Sequence, residues 1–178
     1  MTVVIDHATA NDAGPLATLA AITFPLACPP TSHPDDIAHF IAAELSEERF
    51  MQQIADPDKI LLCLREDGHL LAWSMLVKGL PKDEQVRSSL SIFPTIELSK
   101  FYVHPSHHGQ GSSSRLMEAS LEIAAQGTEA KGIWLGTNDR NARAVRFYEK
   151  HGFSRVGAKT FQLGRNVETD FVLERALG

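Results

Sequence analysis

Between Thr95 and Ala124 the chain changes its hydrophobic period across a run of glycine and serine. Thr95–Val103 reads as a strand. Gly109-Gln110-Gly111-Ser112-Ser113-Ser114 reads as a tight turn, and Leu116, Met117, Leu121 and Ala124 then share one face of a helix that Gly127 closes. A strand that feeds a helix through such a turn restricts the chain to folds mixing the two elements. The flanking runs agree. Residues 2–7 and the pair Lys59–Arg65 and His69–Val77 predict strands, the pair joined by a hairpin at Glu66-Asp67-Gly68. Asn11-Asp12 caps a helix carrying Leu16, Leu19, Ala20 and Phe24, which Pro25, Pro29 and Pro30 are expected to break. Cys28–Pro34 then reads as an extended loop. Helices are predicted over 34–44, 46–55 and 141–151, a short strand at Ile133-Trp134-Leu135, and strands over 153–162 and 167–175. Residues 79–92 are polar and read as a mobile surface loop. Strands alternate with helices and hairpins lie at both ends, which predicts a mixed α/β sheet and not a bundle or a sandwich.

Length gives one domain, 1–178, at about 150 residues per domain. The balance of 17 Lys+Arg against 22 Asp+Glu leaves a formal charge of −5, a poor match for nucleic acid, whose phosphates need a basic surface. No basic leader with an apolar core opens the sequence, and no run of about 18 apolar residues is present, so neither secretion nor a membrane span is expected. Cys28 and Cys63 form no CxxC and read as free thiols of a reducing cytoplasm. His104, His107 and His108 are the one histidine cluster. Pro105 keeps His104 and His108 off a common helical face and no acid or cysteine sits at ligand spacing, so no metal is expected.

The turn at 109–114 carries the first chemical signal. Free N–H groups at a helix start and the helix dipole make an anion site, and glycine lets the backbone approach a phosphate. The turn lacks the Gly-Lys-Ser/Thr ending of a nucleotide-hydrolase loop and the third glycine of a dinucleotide fold. A second patterned stretch follows, with Asn141, Ala144, Tyr148, Gly152 and Phe153 in the order Asn-x-x-Ala-x-x-x-Tyr-x-x-x-Gly-Phe.

Together the two stretches resemble the GCN5-related N-acetyltransferase (GNAT) superfamily, specifically over 96–157. The first is similar to its pyrophosphate-binding motif and the second to its Asn/Tyr motif. His108 stands where the family usually has Arg or Gln, and Ser113 where it has Gly or Ala. The resemblance implies a single-domain, mixed but mostly antiparallel sheet flanked by helices, with splayed central strands. It also implies acetyl-CoA as co-substrate. Glu-Leu-x-Lys-Phe-Tyr-Val at 97–103, Trp134-Leu135-Gly136, Phe161-Gln162-Leu163-Gly164 and Asp170 look like the bacterial spermidine/spermine N-acetyltransferases. Those usually have a Val-Trp-Glu-like stretch where this chain has Thr137-Asn138-Asp139.

The implied roles follow residue by residue. A protonated amine needs a base, and Glu97 stands where the family often keeps one, the alternative being a solvated carboxylate at the strand edge. Tyr148 matches the family's acid for the leaving thiolate, the alternative being a core tyrosine of an amphipathic helix. A backbone N–H near Tyr102 or Val103 would meet the developing oxyanion. Phe101, Tyr102 and Val103 would line the acyl-CoA channel. His108, Gly109, Gln110, Gly111, Ser112, Ser113 and Ser114 would hold the phosphates. Asn141 would bind the pantetheine arm with help from Asn138, and it also fits a helix cap. Phe147 fits either the pantetheine wall or the core. Lys150 would reach the 3′-phosphate or stand solvated. The acceptor would enter past Phe24–Pro34 and 79–94, where Asp35, Asp36, Asp83 and Glu84 would attract a polyamine. An amino acid, an antibiotic amine or a protein N-terminus are alternative acceptors, and an acyl-CoA sensor without turnover is the alternative to an enzyme. The family leaves a homodimer open.

Overall fold

The computed structural model describes residues 1–178. Seven strands form one sheet in the order β1-β2-β3-β4-β5-β7-β6. They are β1 (Val3–His7), β2 (Lys59–Glu66), β3 (His69–Lys78), β4 (Thr95–Val103), β5 (Gly132–Asn138), β6 (Ser154–Leu163) and β7 (Asn166–Ala176). Every neighbouring pair is antiparallel except β4 and β5. The helices are α1 (Ala13–Ala27), α2 (Pro34–Glu44), α3 (Glu47–Ala55), α4 (Glu84–Ser89), α5 (Ser112–Gln126) and α6 (Ala142–Lys150). No helix is long and apolar enough to cross a membrane.

Two cores lie on opposite faces. Leu16, Leu19, Ala20 and Phe24 recur at helical spacing along α1 and meet Phe50 of α3 and Trp73 of β3. On the other face Met117 and Ala124 of α5 meet Leu76, Ile96, Leu98, Ile133, Leu135 and Leu173. Ser74 and Ser120, the polar pair between β3 and α5, satisfy each other at 2.8 Å.

Two expectations are corrected. Pro25 does not break α1, which continues to Ala27. Pro25 falls in the last turn, where few later hydrogen bonds depend on it, and the ring of Phe24 stacks on Phe40 of α2 at 4.6 Å between centroids. The helix ends at Cys28, which is extended. The segment 79–92 is not a plain loop. It contains α4, capped by Asp83, whose carboxylate accepts from the Gln85 N–H. Val86 and Leu90 are buried against Trp134 and Val172.

Candidate active site

β4 and β5 pair only over Thr95–Glu97 with Gly132–Trp134. Past Glu97 and Trp134 the strands part: β4 continues beside β3 alone, and β5 beside β7. The gap opens a cleft of two adjoining cavities. One, on the side of the Gly/Ser turn, is lined by Val103, His108, Ser113 and Phe147. The other, of about 270 Å³, is lined by Glu97, Lys100, Asn138, Lys159 and Asp170. Phe101, Tyr102, Asn141 and Tyr148 border both, so Tyr148 stands at the junction.

The turn is built for exposed backbone. Gly109 and Gly111 have φ of 79° and 83°, a region costly for any residue with a Cβ. Gly111 is the N-cap of α5 and no side chain caps that helix, so its first N–H groups, at Ser112, Ser113 and Ser114, are available to an anion. Gln110 donates its side-chain amide to the Ser106 carbonyl at 3.0 Å. His108 turns inward: its Nε2 donates to the Val103 carbonyl at 2.9 Å, tying the turn to the end of β4. This donor donates to protein here, not to open solvent.

On α6, Asn141 is the N-cap: its Oδ1 accepts from the Ala144 N–H at 3.1 Å, leaving the amide NH₂ for the cleft. Asn138 Oδ1 accepts from the Arg140 N–H at 3.0 Å. The Tyr148 ring lies among Phe101, Phe147 and Phe153 at 5.5–6.3 Å between centroids. Burial raises its pKa, so the phenol keeps its proton through neutral pH. Lys150 is exposed beside Glu118 and Arg175, outside both cavities.

Glu97 has no ion-pair partner within 4 Å. Burial raises its pKa, opposed by the ammonium groups of Lys100, Lys159 and Lys59. The lysines of the cleft are site residues to which no sequence motif gives a role. β4 carries a bulge: Met75 faces Lys100 and Leu76 faces Leu98, leaving Ser99 as the extra residue. That extra residue brings Lys100 to the cavity that Glu97 lines. Lys159 reaches in from β6 and meets Asp170 of β7 at 3.4 Å. Gly136 makes room for this pair, since a Cβ there would lie 2.7 Å from the Lys159 Cε.

None of the acids expected to draw in a polyamine lines either cavity: Asp36 pairs with Arg165 at 2.9 Å and Asp83 caps α4, while Asp35 and Glu84 are exposed.

The chain is similar to proteins of known sequence and of known structure. An uncharacterized N-acetyltransferase of Mycobacterium tuberculosis is 42% identical over 167 residues, covering 94% of this chain and 99% of its own. Another, of Lactobacillus delbrueckii subsp. lactis, is 27% identical over 144 residues, 81% of this chain and 80% of its own. Among solved structures, the PaiA N-acetyltransferase of Thermoplasma acidophilum in complex with coenzyme A superposes with a TM-score of 0.78 at 18% identity, covering 99% of both chains. Mutant forms of the spermidine/spermine N-acetyltransferase of Vibrio cholerae superpose at 0.67 with 16% identity, over 99% of this chain and 95% of theirs. At those identities the two structures speak for the fold alone. The model of the acetyltransferase (GNAT) family matches residues 24–153, a span that contains the parted strands, the uncapped helix and Tyr148, and with it this chain belongs to that family.

Proposed function

We propose that the protein transfers an acetyl group from acetyl-CoA to a small primary amine by direct attack, with Glu97 as base and Tyr148 as acid. The observation that carries this reading is the placement of both side chains on one cavity at the point where β4 and β5 part, beside an uncapped helix start. The residues present fit the co-substrate. The turn at 109–114 would offer N–H groups to its phosphates, Asn141 and Asn138 would meet its pantetheine amides, and Phe147 would wall the channel. Bound there, the co-substrate supplies a thioester carbonyl.

Glu97 takes a proton from the acceptor's ammonium, which frees the lone pair on nitrogen. As the C–N bond forms, a backbone N–H of β4 near Tyr102 or Val103, on the edge left without a β5 partner, donates to the carbonyl oxygen. Tyr148 gives its proton to the departing sulfur as the C–S bond breaks. The second proton lost from the acceptor nitrogen restores the phenol, and Glu97 releases its own to solvent. The amide, the thiol and one proton balance the equation.

The charges of the cleft favour a monoamine over a polyamine. Two acidic side chains and two lysines line it together, which is no acidic tunnel. The two free thiols, Cys28 and Cys63, suit a cytoplasmic setting.

Glu97→Gln and Tyr148→Phe are expected to lower kcat by about 100-fold or more while coenzyme A binding is retained. Free-thiol release with an amine panel measures the first and calorimetry the second. Full activity in both variants sinks the role assignment. Coenzyme A binding by the unaltered protein without turnover on any amine points instead to a sensor.

A further inference from the structure

Four ionisable side chains with a carboxylate or ammonium line the acceptor cavity: Glu97, Lys100, Lys159 and Asp170. Two of them are spent on each other, since Lys159 holds Asp170 at 3.4 Å. Glu97 and Lys100 remain, and neither has a charged partner within 4 Å. The only hydrogen bond of the Lys100 ammonium is a long one, 3.4 Å, to the carbonyl of its own neighbour Ser99. Burial lowers the Lys100 pKa and the Glu97 carboxylate opposes that shift, so an anion brought beside Lys100 would favour the ammonium form that the cleft alone leaves poorly compensated.

The Ser99 bulge determines where this happens. An unbroken strand puts residues 97 and 100 on opposite faces, and the extra residue puts both on one cavity. They are then about two strand steps apart, roughly 7 Å. A free carboxylate and a free ammonium at that spacing match a molecule with an ammonium at one end and a carboxylate a few bonds away. A diamine of the same length sets one of its charges against Lys100. The cavity is small, and Phe40, Phe161 and Cys28 also line it, which suits a free small molecule.

We propose that Lys100 is a specificity-determining residue that binds a carboxylate of the acceptor, so that the amine acetylated is a small amino acid. This deepens the acetyltransferase reading and rests on it. In the proposed pose the ammonium lies against Glu97, the carboxylate against Lys100, and the Lys159–Asp170 pair stays intact as the wall.

The test uses matched sets of small amino acids, their primary amides and the diamines of equal length. Each is titrated by calorimetry into the unaltered protein, Lys100→Met and Lys100→Arg, with coenzyme A present and again without it. The unaltered protein is expected to bind at least one acid tenfold or more tighter than its amide and its diamine. Lys100→Met should bring acid and amide within about twofold, Lys100→Arg should keep part of the preference, and both should bind coenzyme A as the unaltered protein does. Equal binding of acid and amide overturns the proposal, as does tighter binding of the diamine, no response to any acid, or a preference that survives in Lys100→Met. The acetyltransferase reading fails separately, by absence of coenzyme A binding or of thiol release with every amine. Titration of the free protein still judges Lys100 in that case.

Discussion

Burial pushes Glu97 and Tyr148 the same way, and both shifts serve the proposed chemistry. A carboxylate raised above its ordinary range is a stronger base once ionised, and a phenol raised above its own holds its proton until a thiolate departs. The price for Glu97 is that it must first lose its proton. Activity therefore falls as pH drops through its raised pKa, and the acid limb of kcat/KM lies above the ordinary carboxylate value of about 4.3. Lys100 opposes that shift by its charge. Lys100→Met removes a positive charge, which raises the Glu97 pKa further, so the acid limb should move to higher pH. Lys100→Arg should leave it nearly in place. A pH profile taken with an amine that has no carboxylate separates this effect from lost acceptor binding. A limb that stays put or moves down in Lys100→Met excludes Glu97 as the titrating base.

At the scale of elements, the sequence was most legible where period and turn chemistry agree. The strand at Thr95–Val103, the helix after Gly111 and the Asn141 cap all fall where the spacing predicts. β5 proved longer than its apolar centre Ile133-Trp134-Leu135, because Gly136, Thr137 and Asn138 continue the ladder opposite β7 without an apolar signal. The bulge at Ser99 was invisible for a related reason: strict alternation is the only guide to a strand's faces, and one inserted residue reverses it. Alternation alone therefore gives Lys100 no place in the site. α4 was missed because six residues give too short a period, with Val86 alone buried within it. Packing, not propensity, makes α4 a helix. Val86→Ala should accordingly cost about 1–3 kcal/mol in denaturant unfolding, whereas a residue of a solvated loop costs within about 0.5. A value in the lower range shows α4 detached from Trp134 and Val172.

For the whole molecule, the cavity proposed for the acceptor is bordered by parts far apart in the chain, Phe24 and Phe40 from the helices and Phe161 and Leu163 from β6. The first turn of α2 meets the hairpin of β6 and β7 through Asp36 and Arg165, and the segment before it does so through the Thr31 carbonyl, which accepts from Asn166 at 3.3 Å. Arg140 ties the start of α6 to both, donating to Thr31 Oγ1 at 3.3 Å and to Glu168. Phe40 and Phe161 meet edge to face beneath these contacts, at 6.1 Å between centroids. Such a roof touches the acceptor side and stands apart from the turn at 109–114, so its loosening should divide the two substrates. Asp36→Ala removes the carboxylate that holds Arg165 by its backbone N–H and its guanidinium. An ion pair of this surface kind contributes little, so the expected change is about two- to fivefold in the acceptor KM. The KM for acetyl-CoA should stay as it was. Salt should weaken acceptor binding less in the variant than in the unaltered protein, because the screened interaction is already gone. Steady-state kinetics at two ionic strengths reads both effects. An equal rise in both KM values places Asp36 in general stability and not in the roof, since only a local change separates the acceptor from the co-substrate.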